Sequence, residues 1–329
     1  MKRPLVSILV PIYNVAPYLS QCLNSLIHQT LQDIEIVCIN DGSTDNSLTI
    51  AQEFADNDLR IKAINKPNTG YGDSMNLGLK ESHGEYIGIL EPDDWIEENA
   101  FEKLYAAAKE SHADVVKANF FRVKDDHDFA KVEEIITKEV VHPQTDRQVF
   151  QFMPAIWSAI YRRDFLVKNN IAFLPTPGAS YQDLSFSFKV WTLANTAVLL
   201  PQAFVHYRID NANSSVNNPA KVNCVVDEYA EIETFLCERG IFADFGETMN
   251  AAKFRNYHWN FQRLDAKLAK GFYRTWRTEL LSAYDENLLQ KSHFNKKDWL
   301  ALRAIIKHPH LAYRALRLRR GFKRLLGVQ

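Results

Sequence analysis

Short apolar runs alternate with amphipathic stretches through the first third of the chain. Val6–Val10, Ile34–Ile39, Ile61–Ile64, Tyr86–Leu90 and Asp114–Ala118 read as strands. The patterns over Tyr18–Gln29, Ser47–Asn57, Ser74–Ser82 and Glu97–Ser111 read as the helices between them. Strands that are apolar throughout, separated by helices with one apolar face, predict an α/β fold with a mostly parallel sheet covered on both faces. Ligands of such sheets bind outside the carboxyl ends of the strands. Three loops at those ends carry unusual residues: Pro11-Ile12-Tyr13-Asn14, the acid- and hydroxyl-rich residues 40–45, and Glu91-Pro92-Asp93-Asp94.

Beyond this region the pattern loosens. Residues 120–143 are charged and irregular, as expected of a surface excursion with a strand pair. Loop and strand character returns at Trp157–Tyr161, Phe173–Asp183 and Ala197–Tyr207. From about Pro219 the chain turns to long helical patterns rich in aromatics, among them Tyr257, Trp259, Phe261, Phe272, Tyr273 and Trp276. The turn residues Asn217–Pro219 mark the expected boundary between a domain over residues 1–217 and a helical region over 218–329.

Composition narrows the function classes. Lys and Arg number 39 against 40 Asp and Glu, a net charge of -1, so no global field favours nucleic acid. Cys22, Cys38, Cys224 and Cys237 lie in apolar contexts without metal spacing and read as thiols of a reducing compartment. The apolar run at the N-terminus is short, broken by Pro11 and without a cleavage site, so it reads as a first strand and not as a signal peptide. No window approaches the roughly 18 apolar residues of a membrane span. A cytoplasmic protein, associated with the inner face of the cell membrane, is the expectation.

The third loop carries the sharpest chemistry. An apolar strand over Tyr86–Leu90 stops at Glu91-Pro92-Asp93-Asp94, and Pro92 cannot donate to the ladder. Acids packed this closely repel unless a cation sits among them, and hard divalent metals take such oxygen ligands. A polar turn capping the next helix is the plainer reading of the same residues. Known nucleotide motifs are otherwise absent: no GxGxxG follows the first strand, Gly70-Tyr71-Gly72 continues to Met75 where a third glycine is needed, and there is no P-loop or GxSxG elbow.

In order along the chain, VSILVPIYN, INDGSTDNS, NTGYGDSMNLGL and GEYIGILEPDDW resemble the motifs of family 2 glycosyltransferases of the inverting, GT-A-fold type. The resemblance is nearly continuous over Val6–Ser111 and resumes more weakly at Trp157–Tyr161, Tyr181-Gln182-Asp183 and Tyr207–Ser215. It implies a nucleotide-sugar-binding half over residues 1–118 and an acceptor half carrying the base over 119–217. Pro11, Tyr13 and Asn14 would flank the nucleobase, and Asp41 would accept a hydrogen bond from it. Gly70, Asp73 and Asn76 would lie near the donor, with backbone N–H groups at the opening of a helix facing phosphate or ribose. Ser43, Thr44 and Asp45 are expected to cap a helix. Glu91 stands where the family has Asp, one methylene longer, and Asp93 takes the place of the second acid of the Asp-x-Asp motif. Asp93, Asp94 and His206 are the implied holders of a divalent metal (Mn or Mg), and Arg208 an implied clamp for the diphosphate.

Asp183 corresponds to the general base, while neutral Gln182 replaces the family's adjacent acid; removing that charge eases ionisation of Asp183. Trp157 and Gln182 are the implied acceptor contacts. The expected reaction is metal-dependent, inverting transfer from a nucleotide sugar, expected to be UDP-linked, to a glycan or lipid-linked acceptor in surface polysaccharide or lipopolysaccharide assembly. A nucleotidyltransferase lacks its Gly-rich basic loop here, and a non-catalytic sugar-nucleotide or membrane-binding module draws support only from the departures at Glu91 and Gln182.

The tail adds a separate signal. Leu311, Ala315, Leu318, Phe322 and Leu325 recur at helical spacing among Arg314, Arg317, Arg319, Arg320, Lys323 and Arg324, and no Asp or Glu follows Trp299. Residues 311–326 are expected to contact an anionic membrane; a helix docked on the protein by this stripe is the other reading.

Overall fold

The computed structural model describes residues 3–125, 127–132, 134–211 and 221–325, and the chain divides into two compact units, residues 1–215 and 216–329. The expected boundary at Asn217–Pro219 and the Ser214-Ser215 pair lie outside the described residues.

The first unit is built on one mixed sheet. Its strands are β1 (Val6–Ile12), β2 (Ile34–Asp41), β3 (Ile61–Lys66), β4 (Tyr86–Ile89), β5 (Trp95–Ile96), β6 (Val115–Lys124), β7 (His127–Val132), β8 (Glu139–Val141), β9 (Ala159–Arg162) and β10 (Ala197–Arg208). They lie in the order β3-β2-β1-β4-β9-β6-β10-β5, with β7 beside β6 and β8 beside β10. The expected parallel pairing joins β3, β2, β1 and β4, with Val6 opposite both Ile34 and Tyr86, and returns between β6 and β10. Between these runs β9 is inserted antiparallel to both β4 and β6. The short β5 also runs antiparallel to β10, at Val205 and His206.

The helices are α1 (Ala16–Ile27), α2 (Ser47–Asn57), α3 (Tyr71–Glu81), α4 (Ala100–Ser111), α5 (Arg163–Lys168) and α6 (Gln182–Leu193). Two glycines show why both faces of the sheet are covered. Gly78 of α3 lies so close to Leu9 and Ile39 that an added Cβ would come within 3.0 Å of the Ile39 side chain. Gly88 of β4, paired with Ile8, leaves room for the Phe101 ring of α4, 2.6 Å from where its Cβ would be. Successive strand residues face opposite sides, so contact with Leu9 and contact beside Ile8 place α3 and α4 on opposite faces. Val6, Ile8, Leu9 and Val10 of β1 are fully buried between them.

The second unit is helical: α7 (Cys224–Glu238), α8 (Phe242–Arg263), α9 (Ala266–Asp285), α10 (Lys296–Lys307) and α11 (Pro309–Leu325). Asp265 caps α9 through the Leu268 amide at 2.8 Å, and Asn295 caps α10 through the Asp298 amide at 2.9 Å. Its core is aromatic, with Trp276 packed 5.3 Å from Phe254 and 5.9 Å from Phe261. Among the described residues no helix is long and apolar enough to cross a membrane.

Candidate active site

β4 hands the chain to a tight turn, closed by the Asp94 amide donating to the Glu91 carbonyl at 3.1 Å, and β5 then pins the far side of the turn to β10. The end of β10 organises the acids. The Arg208 amide donates to Asp94 Oδ1 at 2.8 Å and its Nε to the Asp93 carbonyl at 3.0 Å. Asn211 Nδ2 donates to Asp93 Oδ2 at 2.7 Å. The Arg208 guanidinium also reaches Gln21 at 2.9 Å and stacks 4.8 Å from the Tyr18 ring and 5.2 Å from the Trp95 ring. The clamp expected for a diphosphate is thus a buried brace that shapes the acidic turn.

Burial dominates the electrostatics. Asp94 is only 1% exposed, and burial followed by the neighbouring Asp93 charge holds its carboxyl well above the usual range. Asp93 is raised for the same first reason. Glu91 is pushed up to about 8 by burial, with the Asp93 and Asp183 charges adding and a bond from Tyr71 opposing. Desolvation penalises the charged form, and a cation beside these groups would reverse that preference.

Asp183 comes from another part of the chain and reaches the same neighbourhood. Tyr181 turns the backbone through a left-handed conformation (φ 64°), and Asp183 falls in the first turn of α6. Although it keeps some contact with solvent, its dense surroundings push it up to about 7, against the lowering effect of its own amide and that of Leu184. The Asp183 charge is felt at Glu91 and Tyr71. The Tyr207 phenol is raised by burial and then by Asp94, Asp93, Asp183 and Glu91 together. The Tyr207 phenol thus lies within electrostatic reach of three acids of the turn and one of α6.

Other expected contacts have structural tasks. Pro11 is buried in β1, and Tyr13, just past the strand, is 49% exposed with its ring available to a base. Asn14, in the left-handed region (φ 52°), accepts from the Thr44 amide at 2.8 Å and donates its own amide to Ser43 Oγ at 3.1 Å, tying the first two loops together. Asp45 braces the start of α2 through the Ser47 amide at 3.0 Å. Asp41 accepts from the Thr69 and Gly70 amides, both at 2.9 Å, and from Lys66. A carboxylate has about four acceptor positions, so a nucleobase N–H remains chemically compatible with Asp41. Asp73 is bonded by Thr69 and paired with Lys66 at 3.2 Å, which together hold its carboxyl below the usual range.

Several expected contacts have partners within the fold. Asn76 spends its carboxamide on the backbone of Phe173, donating and accepting at 2.9 Å. The N–H groups expected to face phosphate at the start of α3 are partly used: Gly70 donates to Asp41 and Tyr71 to the Gly178 carbonyl at 3.0 Å. Gln182, expected as an acceptor contact, is buried and ties its own loop, accepting from the Ser180 amide and donating to Thr176 Oγ1 at 2.8 Å. Trp157 is a packing residue, stacked on Tyr207 at 4.9 Å and edge-on to Phe120 at 4.7 Å. His206 bonds Asp128 at 2.7 Å and Glu97 at 2.8 Å, leaving neither ring nitrogen for a metal, and its ring lies against Trp95 and Phe121.

The donor set nonetheless fits a cation of the kind expected. Among the described residues no three His, Cys, Asp or Glu side chains form a ready-made cage. Mg²⁺-like ions in phosphate chemistry do not need one, because one or two carboxylates and the substrate's own oxygens suffice. Asp94 Oδ2 is buried with no hydrogen-bond partner, a vacancy in the hydrogen-bond network that a cation would fill. A cavity of about 480 Å³ in the second unit, lined by His258, Gln262 and residues 295–298, contains none of these acids.

Comparison with known proteins shows the family and the fold. The sequence profile "Glycosyl transferase family 2" matches residues 7–169. The chain is 32% identical to the uncharacterized glycosyltransferase EpsJ of Bacillus subtilis over 66% of its own length and 64% of that protein. It is also 32% identical to the glycosyltransferase GlyG of Streptococcus pneumoniae, over 62% of its own length and 70% of that protein. The chain thus spans less than two thirds of EpsJ. Among solved structures, S. aureus TarS 1-349 in complex with UDP-GlcNAc superposes with a TM-score of 0.62 over 98% of this chain and 92% of that one, at 19% identity. At that identity the likeness is one of fold.

Proposed function

This chain belongs to glycosyltransferase family 2 and has the GT-A fold, and on that premise we propose that it transfers a sugar, with inversion, from a UDP-sugar to a hydroxyl of a glycan or lipid-linked acceptor. The observation that carries the proposal is that Tyr71 bonds both Glu91 of the acidic turn, at 2.6 Å, and the Gly178 carbonyl, at 3.0 Å, to which Gln182 beside Asp183 also donates at 3.3 Å, so the acidic turn and the start of α6 are tied together. Transfer needs both in one place: a base for the acceptor and a receiver for the leaving group. The UDP-GlcNAc held by TarS supports a UDP-linked donor.

The chemistry follows from the residues. Asp183 removes the acceptor proton as the hydroxyl oxygen attacks the anomeric carbon in line. The carbon–oxygen bond to the diphosphate breaks, and that oxygen leaves with the electron pair. A base near 7 is suited to neutral pH, ionised often enough to act and basic enough to pull. A divalent cation, Mn²⁺ or Mg²⁺, held by Asp93 with Asp94, would neutralise the charge growing on the diphosphate. Arg208 and Asn211 keep those two carboxylates in place. Calorimetric titration with UDP, GDP and CDP in the presence of Mn²⁺ tests the donor class. UDP is expected to bind at least about tenfold more tightly than the others, a difference of about 1.4 kcal/mol; equal affinities would remove the UDP assignment.

The proposal includes a place, the inner face of the cell membrane, and a pathway, assembly of surface polysaccharide or lipopolysaccharide. Its support is α11. The helix docks through buried Ala312 and Leu316, with Arg317 donating to the Leu264 carbonyl at 2.8 Å. Of the apolar stripe read from the sequence, Leu311 is 67% and Leu318 69% exposed, while the side chains of Phe322 and Leu325 lie outside those described. Docking and a free apolar stripe thus coexist, among basic residues that no acid balances. Exposed leucines flanked by cations suit an anionic lipid surface. In vesicle sedimentation, Leu311→Ser combined with Leu318→Ser is expected to lower the partition coefficient at least about a hundredfold, since each buried leucine contributes about 1.5–3 kcal/mol. Retention by neutral vesicles equal to that by anionic ones would contradict the charge component.

A further inference from the structure

Glu91, the residue that departs from the family pattern, has a dedicated partner. The Tyr71 hydroxyl donates to Glu91 Oε1 at 2.6 Å across twenty positions of sequence. Tyr71 is itself fixed at three points. Its amide is bonded to the Gly178 carbonyl at 3.0 Å, its ring lies edge-on to Phe173 at 6.1 Å, and Gly70 before it is anchored to Asp41 at 2.9 Å. Gly70 and Tyr71 together therefore join Asp41, the 173–181 loop and the acidic turn.

We propose that Tyr71 is a positioning residue for the donor, holding the Glu91 carboxylate where the family's shorter Asp would stand by itself. The proposal rests on the reading of the site as one for a nucleotide sugar. Glutamate has one more rotatable bond than aspartate, so a free Glu91 would sample several carboxylate positions and would have to be ordered on each binding event. The phenol removes that freedom in advance, and preorganisation of this kind strengthens binding by lowering the ordering cost. The bond occupies only Oε1. Among the described residues no hydrogen bond reaches Oε2, so that oxygen remains available as an acceptor. Tyr71 benefits in return, since a largely enclosed phenol needs an acceptor.

A double-mutant cycle on the full chain tests this, read by UDP calorimetry with Mn²⁺ and by the KM and kcat of the donor. Tyr71→Phe keeps the ring on Phe173 and removes only the hydroxyl. It is expected to weaken UDP binding and raise donor KM up to about tenfold, the scale of one hydrogen bond, with kcat changed less. In the Glu91→Ala background the same change is expected to be silent, because no carboxylate remains to be placed. A loss of the same size that persists in that background would show Tyr71 acting by packing and would overturn the proposal. So would Tyr71→Phe with wild-type affinity. A wild-type chain that binds no nucleotide at all would sink the donor reading and this proposal with it.

Discussion

Asp183→Asn is expected to reduce turnover by about 10²–10⁴-fold, the usual contribution of a positioned general base, while leaving UDP affinity within about twofold of wild type. The asparagine has the same shape and can occupy the first turn of α6, but it cannot take a proton at neutral pH. Burial that pushes Asp183 to about 7 gives the pH dependence its sign. The base works when deprotonated, so the wild-type rate falls as pH is lowered through about 7 and levels off above it. The variant's residual rate should lack that limb. Stopped or continuous assays of nucleotide release between pH 5.5 and pH 8.5 (a range chosen to bracket about 7) read both effects. An undiminished rate in the variant would remove Asp183 from the chemistry.

The second large effect is expected at Asp93. Asp93→Asn preserves an acceptor for Asn211, because the asparagine carboxamide oxygen can take the same bond. The turn should therefore keep its shape while losing one charge. Metal-stimulated turnover is expected to fall by about 10²–10³-fold, which corresponds to the few kcal/mol that a cation contributes to charge developing on a leaving group. Addition of Mn²⁺ with UDP should raise the thermal midpoint of the wild type and not that of the variant, since a ligand stabilises only the state that binds it. A chelator should reproduce the variant's rate in the wild type, and restored Mn²⁺ should reverse it. Full activity in Asp93→Asn would mean that the turn does not handle the leaving group.

β3, a half-exposed edge strand, was legible from its apolar run between turns, and β1, β2 and β4 were legible because each is buried on both sides and bounded by turn residues, a pattern that survives any detail of packing. The acidic turn was legible for the same reason, as the place where such a strand stops. β9 was not: four residues from Ala159 to Arg162 carry no sign of direction, and only the sheet shows that they run against β4 and β6. Asn76, Gln182 and His206 have the right chemistry for ligand contact, yet buried polar groups take the partner within reach. For Asn76 that partner is the backbone of Phe173, 97 positions away, which no spacing could announce. Tyr71 stood inside a quoted motif, and its bond to Glu91 became visible only when two loops met. In α11 the 311–315–318 stripe was correctly seen as apolar, but helical spacing supports two neighbouring stripes, and the fold buries the one containing Ala312 and Leu316.

The central claim is that this chain moves a sugar from a nucleotide donor, and it is tested most directly by nucleotide release. A panel of UDP-, GDP- and CDP-sugars would be incubated with Mn²⁺ or Mg²⁺, with and without a lipid extract as acceptor, beside Asp183→Asn. Release of UDP from one donor, dependent on metal, increased by acceptor and lost in the variant, is the predicted result. Pyrophosphate release from a nucleoside triphosphate and sugar phosphate, with no free nucleoside diphosphate from any donor, would contradict it and point to nucleotidyl transfer instead.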